Sequence, residues 1–371
     1  MRLEIPTELL PADGRFGSGP SKVPAGRLEA LAATGRTLMG TSHRQPPVKQ
    51  LVRRVREGLA ELFGLPDGYE VVLGNGGSVA FFSLATYALI RERSQHVVYG
   101  EFARKFADEA AAAPWLKDPH LIEAPHGSLA QAEAAEDVDV YAWTHNETST
   151  GVMSPVVRPP GASADQLVLV DATSGAGGLP LDVRECDVYY FAPQKSFASD
   201  GGLWIALMSP AAIARAEDIA GSGRHIPGFL GLTDAIKQSR LDQTVNTPAV
   251  ATLFLMAEQL DWMNGDGGLD GMVARTTASA QALYTWAEAS PYAAPFVAEP
   301  AHRSLVVGTV ELDPSIDRSA VMAHLRDNGI VDVDAYRGVG TNQLRIAMYP
   351  SVDAADVEAL TRCLDWVVER L

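Results

Sequence analysis

The feature that most constrains the fold is a series of short apolar segments that alternates with segments of helical spacing. The apolar segments lie at residues 70–73, 96–99, 138–143, 167–170, 188–191 and 203–207. Helical spacing is seen at residues 47–63, 78–91 and 102–113. Short, continuous apolar runs are typical of buried and largely parallel strands. The alternation predicts an α/β sandwich with a mainly parallel sheet, which binds its ligands at the carboxyl ends of the strands.

The length of 371 residues predicts two domains. Residues 1–22 are rich in Pro and Gly and are expected to form an extended N-terminal arm. Residues 23–264 would form the large α/β/α domain and end with a long helix at 247–263 and a loop at 264–268. The pattern then changes to helices at 269–287, 316–328 and 354–371 and strands at 304–312 and 343–348. We therefore expect a smaller α+β C-terminal domain over residues 265–371.

The charge and the cysteines limit the possible partners and compartments. Thirty Lys and Arg against 46 Asp and Glu give a net charge of −16, which repels nucleic acid and anionic membranes. Cys186 and Cys363 lie far apart without metal-ligand spacing, so neither a disulfide framework nor a metal site is expected. The N-terminus does not have the pattern of a signal peptide, and no apolar stretch is long enough to span a bilayer. We expect a cytoplasmic protein.

An acid and an amine follow two of the predicted strands. Asp171 comes directly after the apolar LVLV, and Lys195 follows VYYFA in the segment APQKSFASDGG. Each residue alone is equally consistent with a capping aspartate or a solvated loop lysine. Together, at the ends of neighbouring strands, they match the needs of pyridoxal 5'-phosphate (PLP) chemistry. There a lysine amine forms a Schiff base with the cofactor, and an acid keeps the pyridine nitrogen protonated.

Two loops and one aromatic residue are candidates for cofactor contacts. The segment GNGGSV at 74–79 joins a strand to a helix, where free N–H groups attract phosphate. The segment THNETSTG at 144–151 also follows a strand and offers polar side chains. Phe102 opens a helix and is placed to stack on a planar ring. A plain strand-to-helix turn, a polar loop and a core aromatic residue remain the alternatives.

Three arginines and a histidine are candidates for binding anionic substrates. His43 and Arg44 lie in a polar loop ahead of a helix, and arginine pairs bidentately with carboxylate or phosphate. Arg345 stands within an apolar strand, where its charge needs either a structural acid or a ligand carboxylate. Arg337 lies nearby in a Gly-rich loop. A structural salt bridge is the alternative for each of these arginines.

These motifs, in this order, resemble the phosphoserine aminotransferases, which belong to the class-V aminotransferases of PLP fold type I, and the chain is most similar to the actinobacterial branch. The resemblance covers residues from about 15 to the C-terminus. It is carried by the segments FGSGPS at 16–21, GTSHR at 40–44, HNET at 145–148, VDATS at 170–174 and APQKSF at 192–197.

The resemblance implies a cytoplasmic homodimer with active sites at the subunit interface. It implies the reaction of L-glutamate with 3-phosphohydroxypyruvate, giving O-phospho-L-serine and 2-oxoglutarate, the second step of serine biosynthesis. Many bacterial members also act on 4-phosphohydroxy-L-threonine in vitamin B6 (pyridoxine) biosynthesis.

The roles implied for individual residues fall into two groups. Lys195 would hold the cofactor and Asp171 its pyridine nitrogen, and the remaining cofactor contacts would come from Gly77, Ser78, Val79, Phe102, Thr148, Gln194, Asn246 and Thr247, the last two reaching the neighbouring subunit's cofactor phosphate. The substrate would be bound by Ser18, His43, Arg44, Arg337 and Arg345, with Arg345 on the α-carboxylate and His43 and Arg44 on the distal anion.

The chain departs from the family at three places. Phe102 stands where Trp is frequent, Ser78 and Val79 stand where many members have Gly-Arg, and Tyr336 and Arg337 stand where some have a basic pair.

Three alternative functions remain open. The nearest is another class-V reaction, such as alanine–glyoxylate transamination, although small substrates would not need both His43 and Arg44. Cysteine desulfuration would need a reactive cysteine on a mobile loop. A non-catalytic binding protein would be expected to lack Lys195 or Asp171.

Overall fold

The computed structural model describes residues 3–340 and 342–371 and contains both α-helices and β-strands. The α-helices are α1 (Ala25–Ala33), α2 (Pro46–Leu62), α3 (Ser78–Ala88), α4 (Glu101–Ala111), α5 (Pro210–Gly221), α6 (Leu232–Ser239), α7 (Val250–Gly265), α8 (Gly268–Ala289), α9 (Arg318–Asp327) and α10 (Ala354–Val368). The strands are β1 (Glu70–Gly76), β2 (Ser94–Val98), β3 (His120–Glu123), β4 (Val140–Thr144), β5 (Asn146–Glu147), β6 (Val152–Met153), β7 (Leu167–Asp171), β8 (Val188–Phe191), β9 (Gly202–Met208), β10 (Ala293–Pro295), β11 (Val307–Leu312) and β12 (Gln343–Ala347).

The central sheet has seven strands in the order β1-β9-β8-β7-β4-β2-β3. Neighbouring pairs are parallel except at β9, which is antiparallel to both β1 and β8. All the other strands therefore run in one direction. The α/β fold class with a mainly parallel sheet is confirmed.

Both faces of the central sheet are covered, which explains why its strands are apolar throughout. In β7, Val168 and Val170 belong to the core on one face, while Leu167 and Leu169 belong to the core on the other. Successive strand residues point to opposite faces, so a strand between two cores cannot alternate with polar residues. Because β2, β4, β7 and β8 are parallel to one another, their carboxyl ends meet at one edge of the sheet.

The C-terminal part contains the three-stranded antiparallel sheet β10-β11-β12, packed against α8, α9 and α10. Its core also takes up Ile5 and Phe16 from the N-terminal arm. The arm is fixed there by backbone bonds, since the Phe16 N–H donates to the Val331 carbonyl and the Ala347 N–H donates to the Phe16 carbonyl. The division into an arm and two domains at residues 22 and 264 stays a prediction.

Several of the sequence-based assignments need correction. The helix expected at 247–263 begins at Val250, because Pro248 disfavours helical geometry at Thr247. The loop expected at 264–268 is shorter, since α7 reaches Gly265 and α8 begins at Gly268. The expected arm contains a short 3-10 helix at Thr7–Leu9, and its residues 1 and 2 lie outside the described part. Helices α1, α5 and α6 were not predicted. Within residues 3–340 and 342–371, no helix is both long and apolar enough to cross a bilayer.

Candidate active site

A cavity of about 380 Å³ lies at the carboxyl edge of the central sheet. Most of its lining residues belong to segments that follow the ends of β1, β2, β4, β7 and β8. The N-terminal arm and β12 contribute further lining residues. Of the predicted site residues, the cavity is lined by Ser18, Gly77, Ser78, Val79, Phe102, Thr148, Gln194, Lys195 and Arg345. The structure thus brings together side chains spread over more than 300 positions of the sequence.

Lys195 is the buried amine of this cavity, with 5% of its surface exposed. Its Nζ donates to the Oγ1 of Thr148 at 2.8 Å and lies 5.3 Å from the centre of the Phe102 ring. Burial lowers the pKa of Lys195 to about 8, although the nearby charge of Asp171 acts in the opposite direction. The fraction of unprotonated amine at neutral pH is therefore much larger than for a lysine in water, and a nucleophile or a base needs this form.

Asp171 is the last residue of β7 and is buried behind the cavity wall. Its Oδ1 accepts hydrogen bonds from the backbone N–H and the hydroxyl of Thr173, at 2.9 and 2.6 Å. Burial raises the pKa of Asp171, and these two hydrogen bonds oppose that shift by stabilising the charged form. Thr173 itself lines the cavity.

Arg345 lies on β12 and also lines the cavity. Its Nη1 donates to the Thr148 carbonyl at 3.1 Å, and its guanidinium lies 5.2 Å from the centre of the Tyr336 ring. No salt bridge to Arg345 is present among the described residues, and its Nε is buried without a hydrogen-bond partner there. The structural salt bridge considered from the sequence is therefore not observed.

The cavity fits PLP on three counts. Gly77 precedes α3, no side chain caps that helix, and the space where a Gly77 Cβ would lie is open, so the first N–H groups of α3 are available to a phosphate. Phe102 offers a ring face beside Lys195. In the described part of the chain, Ser18 Oγ and Gln194 Oε1 are buried polar atoms without partners, which a polar ligand would satisfy.

Besides Asp171, five of the predicted site residues do not line this cavity. His43 and Arg44 lie instead beside the segment that precedes α7: His43 Nδ1 is 3.1 Å from the Thr247 hydroxyl, and Arg44 Nη1 donates to Gln243 Oε1 at 2.9 Å. Asn246 directly precedes Thr247 in the same segment, and we call His43, Arg44, Asn246 and Thr247 together the 43–247 cluster. Arg337 also lies outside the lining, although its neighbour Tyr336 is part of it.

Three further residues of the site were not predicted from the sequence. Tyr336 contacts the Phe102 ring with centroids 5.6 Å apart. Glu147 is fully buried and accepts from the N–H groups of Phe102 and Ala103 at 3.2 and 3.1 Å, so it fixes the start of α4. Thr173 holds Asp171. The contact between Asp171 and Thr173 could have been predicted from the sequence, since an Asp commonly accepts a hydrogen bond from the backbone N–H two positions later in a turn.

The fold and this cavity define a class of protein, and sequence comparison agrees with it. The aminotransferase class-V family matches residues 16–360. The chain therefore belongs to the class-V aminotransferases.

Individual relatives narrow this result. A phosphoserine aminotransferase from Nocardioides sp. is 68% identical over 370 residues, covering 100% of this chain and 99% of the relative. The structure of a phosphoserine aminotransferase from Cytophaga hutchinsonii matches with a TM-score of 0.88 at 21% identity, covering 95% of this chain and 99% of that one. The PLP-bound phosphoserine aminotransferase from Trichomonas vaginalis matches with a TM-score of 0.80 at 17% identity, covering 95% and 99%. Within its family the chain groups with the phosphoserine aminotransferases.

Proposed function

We propose that the protein is a PLP-dependent transaminase that transfers an amino group from L-glutamate to 3-phosphohydroxypyruvate, giving 2-oxoglutarate and O-phospho-L-serine in serine biosynthesis. The observation that carries this proposal is the buried pair of Lys195 and Asp171 beside a cavity that is also lined by Arg345, whose guanidinium has no salt bridge within residues 3–340 and 342–371. The 68% identical phosphoserine aminotransferase supports the choice of substrates. We further propose 4-phosphohydroxy-L-threonine of pyridoxine biosynthesis as a product of the same site.

Bound PLP supplies an aldehyde that links covalently to an amine and a protonated ring that withdraws electrons from the substrate. Lys195 would hold the cofactor through Nζ between turnovers. Once released, its Nζ would take the α-proton of the amino acid and later return it, which the lowered pKa of Lys195 favours. Asp171 would keep its negative charge beside the pyridine nitrogen. Thr148 would orient Lys195 through the 2.8 Å hydrogen bond.

Both substrates carry an α-carboxylate and a second anionic group. Arg345 would bind the α-carboxylate, because its guanidinium lines the cavity and forms no salt bridge with an acid in the described part of the chain. His43 and Arg44 would bind the distal carboxylate or phosphate. One set of cations for both anions explains how a single site accepts two substrates in turn.

We propose that the active form is a homodimer in which the 43–247 cluster of one subunit completes the cavity of the other. Two observations support this proposal. The 43–247 cluster lies outside its own chain's cavity lining, although its residues are those expected to bind the substrate and the cofactor phosphate. Apolar side chains near these segments are also exposed, with Val79 60%, Leu241 49% and Val245 37% accessible, as expected of a surface covered by a partner.

We propose a cytoplasmic location on separate grounds. Cys186 and Cys363 are both buried free thiols. Proteins with few cysteines and no disulfides are typical of reducing compartments.

The proposed function is tested by single half-reactions of the purified, PLP-loaded protein. Phosphoserine and glutamate should each convert the cofactor rapidly, as followed by its absorption, whereas alanine should react far more slowly. A faster reaction with alanine than with phosphoserine would favour the alanine–glyoxylate activity instead. A protein that takes up no PLP, and in which borohydride fixes no cofactor to Lys195, would contradict the enzyme proposal altogether.

A further inference from the structure

A chain of hydroxyl groups connects the start of α3 to the buried carboxylate of Asp171. The Oγ of Ser78 lies 2.5 Å from the Oγ1 of Thr173, and that Oγ1 donates to Asp171 Oδ1 at 2.6 Å. The Thr173 backbone N–H donates to the same Oδ1 at 2.9 Å. Both Ser78 and Thr173 line the cavity, whereas Asp171 lies behind it. This series of hydrogen bonds therefore connects the candidate phosphate site with Asp171, the candidate partner of the pyridine nitrogen.

The direction of this chain follows from the number of protons. A hydroxyl group has a single hydrogen to donate, and the hydrogen of Thr173 is used on Asp171. The contact between the two hydroxyls can then only be donated by Ser78 and accepted by Thr173. Both dipoles point towards the carboxylate, so each hydroxyl increases the stabilisation of the negative charge on Asp171.

The two carboxylate oxygens of Asp171 therefore differ in the hydrogen bonds that they accept. Oδ1 receives two hydrogen bonds from Thr173. Oδ2 receives none from residues 3–340 and 342–371 and is the oxygen left for a ligand. Fixing one oxygen from behind also fixes the plane of the carboxylate and hence the direction of the other oxygen.

We propose that Thr173, supported by Ser78, is a positioning residue that holds Asp171 ionised and directs its free oxygen at the pyridine nitrogen of PLP. This inference rests on the proposed function, because it assigns a role towards that cofactor. It has a consequence at the other end of the hydroxyl chain. The Ser78 hydroxyl donates inwards, so the cofactor phosphate must be held by backbone N–H groups at the start of α3 rather than by that hydroxyl.

Burial explains why Asp171 needs this support. Removal from water raises the pKa of Asp171, and the hydrogen bonds from Thr173 are the principal opposing influence, ahead of the charge of Lys195. A neutral Asp171 would no longer attract a proton to the pyridine nitrogen, and the ring would withdraw electrons less strongly.

The experiment compares Thr173→Val, Thr173→Ser and Ser78→Ala with the wild-type protein. Thr173→Val keeps the size and the backbone N–H but removes the hydroxyl, while Thr173→Ser retains it. The readouts are the dissociation constant of PLP from the apoprotein, the pH titration of the bound cofactor's absorption, and the rate of the glutamate half-reaction. Thr86→Val is the matched control, because the Thr86 hydroxyl is also buried but, among the residues that the structure describes, bonds only to the Phe82 carbonyl within α3.

Loss of one hydrogen bond to a charged group should change these readouts by about tenfold to hundredfold. For Thr173→Val we expect weaker PLP binding, a slower half-reaction and a displaced titration of the absorption. Thr173→Ser should restore all three, and Ser78→Ala should shift them in the same direction by a smaller factor. Thr86→Val should leave the absorption titration unchanged even if it lowers the melting temperature.

Several results would overturn the inference. Thr173→Val with wild-type PLP affinity and an unshifted titration would exclude the role of Thr173, and an unshifted Ser78→Ala would exclude the contribution of Ser78. If Thr173→Val does not fold, Ser78→Ala and Thr173→Ser still decide, since the first must shift the titration and the second must not. Failure of the wild-type protein to bind PLP would instead contradict the proposed function.

Discussion

Lys195 shows how the surroundings of one residue decide its chemistry. In water its amine would be protonated at neutral pH, but burial lowers the pKa of Lys195 to about 8. Phe102 lies over the amine and Thr148 accepts one of its hydrogens. The sequence identified Lys195 through its motif, but the degree of burial depends on residues that are distant in the chain.

A first prediction concerns the pH dependence of cofactor uptake. Only the neutral amine attacks an aldehyde, so the rate at which the apoprotein binds PLP covalently should rise about tenfold per pH unit below pH 8 and level off above it. Mixing apoprotein with PLP at a series of pH values and following the absorption measures this rate. Asp171→Asn should move the midpoint to lower pH, because the charge of Asp171 raises the pKa of Lys195. A rate that still increases steeply at pH 10 would contradict the lowered pKa.

A second prediction concerns Arg44. Arg44→Ala should slow the half-reactions of both glutamate and phosphoserine by about tenfold or more, since each has a distal anion that loses a charge-assisted hydrogen bond. Rates should be measured over a range of substrate concentrations to separate binding from turnover. Arg184→Ala is the matched control, because Arg184 is exposed and its only salt bridge within residues 3–340 and 342–371 is with Asp182. Wild-type rates for both substrates would exclude the proposed role of Arg44.

Sequence reasoning succeeded for some site residues and failed for others for a physical reason. Lys195, Asp171 and Thr148 follow strand ends, and the carboxyl ends of parallel strands converge, so their proximity was predictable. Tyr336 lies in a C-terminal loop and meets Phe102 across more than 200 residues. Such a contact depends on how β12 packs against the large sheet, and no local pattern encodes it.

At the scale of elements, the directions of the strands were the least predictable property. An apolar run such as that of β9 predicts a buried strand, but it does not indicate whether that strand is parallel or antiparallel to its neighbours. β9 is antiparallel to its neighbours because it returns directly from β8 through the segment that carries Lys195. The existence of most strands followed from their composition, whereas the position of β9 between β1 and β8 did not.

A third prediction concerns the packing of β1 against β9. Gly74 pairs with Trp204 in the strand register, and a methyl group at Gly74 would overlap the indole ring. Gly74→Ala should therefore reduce the free energy of unfolding by about 1–3 kcal/mol, as measured by urea denaturation. Gly221→Ala, at the end of α5 with no atom near its added Cβ, should be neutral or slightly stabilising. Equal stabilities of the two variants would show that Trp204 moves aside without cost.

At the scale of the whole molecule, the position of the 43–247 cluster decides how many complete sites one chain can form. His43, Arg44 and Thr247 contact one another or their neighbours outside the cavity that contains Lys195. If a partner supplies them, an isolated chain has an incomplete site. The sequence predicted this arrangement only through its resemblance to a dimeric family.

A fourth prediction tests the shared site by mixing two defective variants. Lys195→Ala would be inactive and Arg44→Ala strongly impaired, but a mixed dimer would have one site that contains both intact residues. Random reassociation should then restore about a quarter of the wild-type activity. Mixing Lys195→Ala with Asp171→Asn, whose defects lie in the same cavity, should restore none. No recovery in the first mixture would show that Arg44 serves the cavity of its own chain.

The N-terminal arm has a consequence for the synthesis of the protein. The Phe16 carbonyl accepts from the Ala347 N–H, and the Ser18 carbonyl accepts from the Tyr349 hydroxyl at 2.7 Å. The arm therefore waits for partners that are synthesised later, since Ser18 and Tyr349 are 331 positions apart in the sequence. Until then the Phe16 ring has no core to enter and the wall formed by Ser18 is not in place. The cofactor pocket can close only after Ala347 and Tyr349 have been synthesised, so a shorter nascent chain cannot retain PLP as the folded protein does.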